Sequence, residues 1–174
     1  MTLTRRGALA MGGGIAASLL AARAGLADSP SEITMRGTKD GGRIWFDPVG
    51  LYIEPGKTLR FLNRDGGNTH TSTAYSPDID GRPLRIPAGA KGWDSDYLDP
   101  EQAFEIILEV PGVYDFYCRP HEHAGMVGRI VVGRPEDHAE WEQNAETGDL
   151  PPELLAAFPA VADILSMGRV AAPW

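Results

Sequence analysis

The sequence predicts an all-β sandwich or barrel followed by a helical appendix. Three observations carry this. Apolar residues alternate with period two over short runs, Pro and Gly dipeptides separate the runs, and no helical periodicity is interleaved with them before the C-terminal segment. A strand-rich stretch of about 100 residues is enough for one sandwich core.

The segment 1–27 stands outside this fold. Thr4, Arg5 and Arg6 open it, an Ala-, Gly- and Leu-rich run extends from Gly7 to Leu20, and Ala24, Gly25 and Ala27 follow. That is the pattern of a bacterial export signal. The paired arginines and weakly hydrophobic core favour the twin-arginine route to the periplasm, with cleavage expected after Ala27. The apolar core is shorter than the roughly 17–25 residues that span a bilayer, so no stable membrane span is expected.

The strand domain is expected over 28–133. Gly41 and Gly42 precede a strand at Arg43 to Phe46, and Val49 to Ile53 ends at the turn Pro55-Gly56. Leu59 and Phe61 alternate with Arg60 and Leu62. Phe104, Ile106, Leu108 and Val110 repeat with period two against Glu105, Ile107 and Glu109, a half-buried strand pattern. Pro111-Gly112 turns into Val113 to Cys118, and Met126 to Val132 closes the set. Between them Asn63 to Tyr97 is polar and turn-rich, a loop of the kind that carries function on a rigid scaffold. In the extension 134–174, Pro135 to Glu146 can start a helix. Leu154, Leu155, Phe158, Val161, Ile164 and Leu165 form an amphipathic stripe over Pro151 to Met167, kinked or split at Pro159. The extension is expected to pack over one sheet or one edge of the sandwich.

The chain carries a formal charge of −8, and without residues 1–27, whose only charges are Arg5, Arg6 and Arg23, the balance is −11. Nucleic acid is therefore not expected as a partner. A positively charged protein would be attracted, at a salt-dependent rate. Cys118 is the only cysteine, so there is no intramolecular disulfide. An unpaired thiol in an oxidising compartment is a liability unless a metal holds it.

The neighbours of Cys118 supply a reason for one. The run Tyr117-Cys118-Arg119-Pro120-His121-Glu122-His123-Ala124-Gly125-Met126 holds a thiolate, imidazoles and a thioether, and His70 stands upstream beyond a different strand. Sulfur ligands select copper(I), whereas imidazole suits copper in both oxidation states. Two histidines and a cysteine with a weak Met ligand make a compromise that lets an electron come and go with little rearrangement. Pro120 restricts the loop, and Gly125 permits the positive φ a tight turn needs. The expected ligands are His70, Cys118, His121 and Met126, although Met126 also suits a core position. His123 is the competing histidine of the loop and is expected at the surface beside the site. The set is poor for structural zinc, lacks the second cysteine of a dinuclear copper centre, and has no Cys-x-x-Cys-His for covalent haem. Gly-x-Ser-x-Gly and phosphate-loop patterns are absent.

With its Cys-x-x-His-x-x-x-Gly-Met loop, its Pro55-Gly56-Lys57 turn and strand Thr58 to Leu62, and His70 beyond, the sequence resembles the cupredoxin family, nearest to plastocyanin, halocyanin and pseudoazurin. The resemblance covers roughly Glu32 to Gly133. It implies a Greek-key β-sandwich, one type 1 (blue) copper ion cycling between Cu+ and Cu2+ on His70, Cys118, His121 and Met126, and an electron port at the His121 ring edge. Two departures stand out. Thr71 occupies the position where the family usually has Asn, and the 134–174 extension has no parallel in the short members.

The expected function is that of a periplasmic one-electron carrier, monomeric and not an enzyme, shuttling between a redox donor and acceptor such as a cytochrome or a copper enzyme. A copper storage or delivery protein, and an electron-transfer domain docked on an oxidase or reductase, are the alternatives.

Overall fold

The computed structural model describes residues 30–134 and 150–173. Among them the strands are β1 (Ser31–Gly37), β2 (Ile44–Asp47), β3 (Gly50–Ile53), β4 (Thr58–Asn63), β5 (Thr73–Ala74), β6 (Ala103–Ile107), β7 (Gly112–Tyr117), β8 (Val127–Val132) and β9 (Arg169–Val170). Two short helices, α1 (Pro152–Leu155) and α2 (Val161–Met167), precede β9. The strands form two sheets, ordered β2-β1-β4-β6 and β5-β7-β8-β3-β9. The predicted β-sandwich with a helical C-terminal region is the observed fold.

Inward-facing residues of both sheets build the core, with Ile33, Met35, Phe46, Phe61, Phe116 and Ile130 all without exposed surface. The Phe116 ring meets Phe46 and Phe61 edge-on, at centroid distances of 4.7 and 5.3 Å, the arrangement that aromatic quadrupoles favour. Gly128 faces Phe116 across the β7–β8 ladder, and a Cβ there would lie 2.4 Å from the ring. Trp93 belongs to this core and donates from Nε1 to Ser72 Oγ at 2.9 Å.

Some predicted boundaries move. The period-two run through Val110 stops as a strand at Ile107, because the Leu108 carbonyl accepts the Gly56 N–H instead of extending the ladder. Leu62 is buried like its neighbour Phe61, so the predicted alternation fails at the end of β4. Strand β1 was not singled out although Ile33 and Met35 alternate with Glu32, Thr34 and Arg36, and β5 and β9 escaped detection because two residues show no period.

The apolar stripe of the extension behaves as predicted, split into two helices about Pro159. Leu150, Leu154 and Phe158 pack on Tyr75, Tyr117 and Val127, while Val161, Ile164 and Leu165 pack on Val131. Beneath them the buried carboxylate of Asp115 is paired with Arg85 at 2.7 Å and Arg129 at 2.7 Å, and Arg129 also donates to the Pro159 carbonyl at 2.8 Å. Charges taken out of water survive only when paired in this way. No helix among the described residues is long and apolar enough to cross a membrane. The predicted export signal, the helix at Pro135 to Glu146 and His138 lie outside the described residues.

Candidate metal centre

Strand β7 delivers Cys118 at its end, where the backbone is still extended (φ −97°, ψ 118°) and leads into a 3-10 turn over Arg119–Ala124 with Pro120 in its first positions. Gly125 ends the turn at φ 81°, in the left-handed region. The turn closes on itself: Cys118 N–H donates to the Met126 carbonyl at 3.0 Å and Met126 N–H to the His121 carbonyl at 3.2 Å.

The other half of the site comes from the segment after β4. Asn63, fully buried, accepts the Asp65 N–H on Oδ1 and donates from Nδ2 to the carbonyls of Asn68 (2.8 Å) and Leu98 (2.9 Å). His70 and Leu98 exchange backbone hydrogen bonds at 3.2 and 2.8 Å. His70 is thus fixed at both its main chain and the turn that leads to it.

The structure brings His70, Cys118 and His121 together. Cys118 Sγ is 3.6 Å from His70 Nδ1 and 3.4 Å from His121 Nδ1, and the two nitrogens are 3.1 Å apart. The circle through these three atoms has a radius of about 2.0 Å, a metal–nitrogen bond length. One thiol and two imidazole nitrogens around a point at bonding distance is a donor set that suits copper. Met126, without exposed surface, packs in the same apolar cluster as Cys118. His123 is exposed and outside the donor group, as expected.

Burial governs the electrostatics. It pushes the Cys118 thiol up to about 11, opposed by the Thr71 N–H that points at the sulfur. It also lowers His70, against the pull of the Asp65 carboxylate, and lowers His121, where the neighbouring His70 adds to the effect. Both imidazoles are therefore neutral at neutral pH, and a cation entering the site would have to displace the thiol proton.

Several supporting residues were not legible in the sequence. Thr71 donates its N–H to Cys118 Sγ at 3.3 Å and accepts the Arg119 N–H on Oγ1 at 2.9 Å, so this threonine ties the two ligand segments together. Its hydroxyl also meets Thr73 Oγ1, which reaches Asp94. The Arg119 side chain pairs with Asp80 and Asp94 at 2.9 and 2.7 Å. Glu122, in the ligand turn itself, is buried and accepts from the Tyr75 hydroxyl at 2.6 Å and from Arg82. The polar loop 63–97, expected to carry function, thus supplies a frame for the site, and spatial proximity reveals which of its residues do so.

A cysteine and two imidazoles closing on one point at the end of a two-sheet sandwich define a mononuclear copper protein of the blue, electron-transferring class. The chain belongs to the plastocyanin/azurin family of copper binding proteins, whose family model matches residues 33–133. It is 33% identical to a chloroplastic plastocyanin of Oryza sativa subsp. indica over 75% of this chain and 82% of that one. It is 29% identical to the pseudoazurin of Methylorubrum extorquens over 71% and 75%. A pseudoazurin structure from Sinorhizobium superimposes with a TM-score of 0.52 at 27% identity, covering 73% of this chain and 90% of that chain. The protein is a cupredoxin with a single type 1 copper cofactor, and its function is electron transfer, not enzymatic catalysis.

Proposed function

We propose that the copper ligands are His70 Nδ1, Cys118 Sγ and His121 Nδ1, with Met126 as the weak axial ligand, and that the protein shuttles single electrons between two redox proteins in the periplasm. The observation that carries this reading is the triangle of three donor atoms around a point about 2.0 Å from each. Copper bound there supplies the Cu+/Cu2+ couple.

The chain's own residues do the rest. Cys118 and His70, both without exposed surface, are shut off from water, while the partly exposed His121 offers the shortest way in and out for an electron. That burial also favours a carrier over a copper-delivery protein, which must hand its ion to an exposed competing ligand. The extension supports a freely diffusing carrier over a docked domain, because Leu154, Phe158 and Ile164 are spent on the protein's own sandwich. The paired arginines of the leader, removal of residues 1–27, a domain over 28–133 and the 134–174 extension complete the proposal. The negative balance of the processed chain favours basic partners.

Metal analysis and a visible spectrum of the purified processed protein test the ligand set. One copper per chain and an intense thiolate-to-copper band are expected. A colourless protein that takes up only copper(I), or copper content that depends on His123 and ignores His121, overturns it. N-terminal sequencing of the periplasmic fraction tests export.

A further inference from the structure

The His70 ring has a second nitrogen, and what it touches is not solvent. Nε2 lies 3.0 Å from Oδ2 of Asp65, whose residue is only 5% exposed. The same carboxylate accepts Asn68 Nδ2 on Oδ2 at 2.8 Å and the Gly67 N–H on Oδ1 at 2.9 Å. These two N–H donors, independent of His70, favour the ionised form of the carboxyl group. An ionised carboxylate can only accept, so the proton between it and His70 belongs to Nε2. The Nδ1 lone pair is then left facing Cys118 and His121.

The carboxylate occupies a prepared place. Asn63 Oδ1 holds the Asp65 backbone N–H at 2.9 Å. On β1, Gly37 stands so close that a Cβ there would lie 2.0 Å from Asp65 Oδ2. Any side chain at position 37 would therefore evict the carboxylate. The His121 ring is placed differently: its polar contacts among the described residues run through Nδ1 to His70 and Cys118.

We propose that Asp65 is a positioning residue for the copper site, holding His70 as its Nε2–H tautomer and favouring the oxidised over the reduced state through its buried negative charge. The inference rests on His70 being a copper ligand. The oxidised site carries one more positive charge than the reduced one, and a fixed anion one ring away stabilises the more positive state, with little screening at such burial. Hydrogen-bonded partners of this kind fix a ligand's tautomer and raise its basicity.

Two variants of the full processed chain test this. Asp65→Asn keeps the volume and removes the charge. At a fixed ambient potential its ratio of reduced to oxidised copper should rise about tenfold, equivalent to about 59 mV for one electron. Asp65→Ala removes the acceptor. Nitrogen-15 chemical shifts of the copper-free protein should then show His70 leaving the pure Nε2–H form, and copper(II) affinity should fall about 10- to 100-fold. A potential for Asp65→Asn within twofold of the parent ratio overturns the electrostatic role, and a copper-free Asp65→Ala that keeps His70 wholly Nε2–H overturns the positioning role. If Asp65→Ala does not fold, the isosteric Asp65→Asn decides. A parent protein that lacks the blue band overturns the copper reading instead, and with it the redox half, while the copper-free tautomer measurement still decides the other half.

Discussion

Residues 63–73 and residues 118–126 bring the same atom type, an imidazole Nδ1, to one point by opposite means. His70 has no exposed surface, its main chain is paired with Leu98, and its far nitrogen is held by Asp65. His121 is partly exposed on a 3-10 turn whose neighbours Pro120, His123 and Ala124 face outward. The first segment is part of the sandwich interior and defines the site. The second is a surface turn, and its order depends on contacts reaching in from elsewhere, namely Thr71, Arg82, Tyr75 and the acids that pair with Arg119. A redox centre needs both, because a wholly buried site would be isolated and a wholly exposed one would be loose.

Cys118 belongs to both segments, receiving the Thr71 N–H from one and opening the turn of the other. Cys118→Ser should therefore have the largest effect, complete loss of the visible charge-transfer band. Because both imidazoles are already neutral and burial holds the thiol proton on until about 11, copper uptake should release one proton. Raising pH favours the deprotonated ligand, so copper affinity should climb about tenfold per pH unit between 7 and 9 in competition titrations. A flat profile would mean that the thiol is already ionised.

The sharpest contrast lies between the histidines. His121→Ala should open a hole at the surface that added imidazole refills, restoring the blue band, whereas His70→Ala should leave a closed hole that the same imidazole concentration does not fill. Equal rescue of both would break the comparison. At the junction, Thr71→Val leaves the Arg119 N–H without its acceptor, so the urea midpoint should drop by the equivalent of about 1–3 kcal/mol. Thr71→Ser should regain most of it. The smallest effect is expected from Glu122→Gln, which weakens the bonds to Tyr75 and Arg82. A loss of about 1 kcal/mol is expected, with greater mobility of residues 119–125 in NMR relaxation and none at His70.

How much of this the sequence disclosed follows the same division. The cluster of Cys118 and His121 was legible because a thiol and imidazoles crowd into one turn, and His70 because no other histidine of the strand domain lies outside that turn, while Met126 of the same turn is seen as a core neighbour of Cys118. The supporting groups were not. Asp65 reads as an ordinary turn residue in Asp65-Gly66-Gly67 until β1 places Gly37 beside it, and Glu122 reads as a solvated loop acid until Tyr75 and Arg82 arrive from 47 and 40 positions away. Thr71 looked like a defect in the pattern, yet its backbone N–H and hydroxyl bind the cysteine and the residue after it. Strands β4 and β6 were found by their period and β2, β3, β7 and β8 by the turns around them, whereas β1 was not singled out although Ile33 and Met35 alternate with polar residues, and β5 and β9, two residues each, have no period to find. Tertiary proximity, in short, is not written locally.

Strand β9 has a consequence for life at high concentration. It pairs with β3 through Gly50↔Val170 and Leu51↔Arg169, on the outer side of the five-stranded sheet. Without it β3 would offer a row of unpaired amides to any passing copy of the chain, the usual starting point of edge-to-edge aggregation. The C-terminal segment therefore acts as a stopper, keeping a protein that must collide with partners to work from adhering to itself.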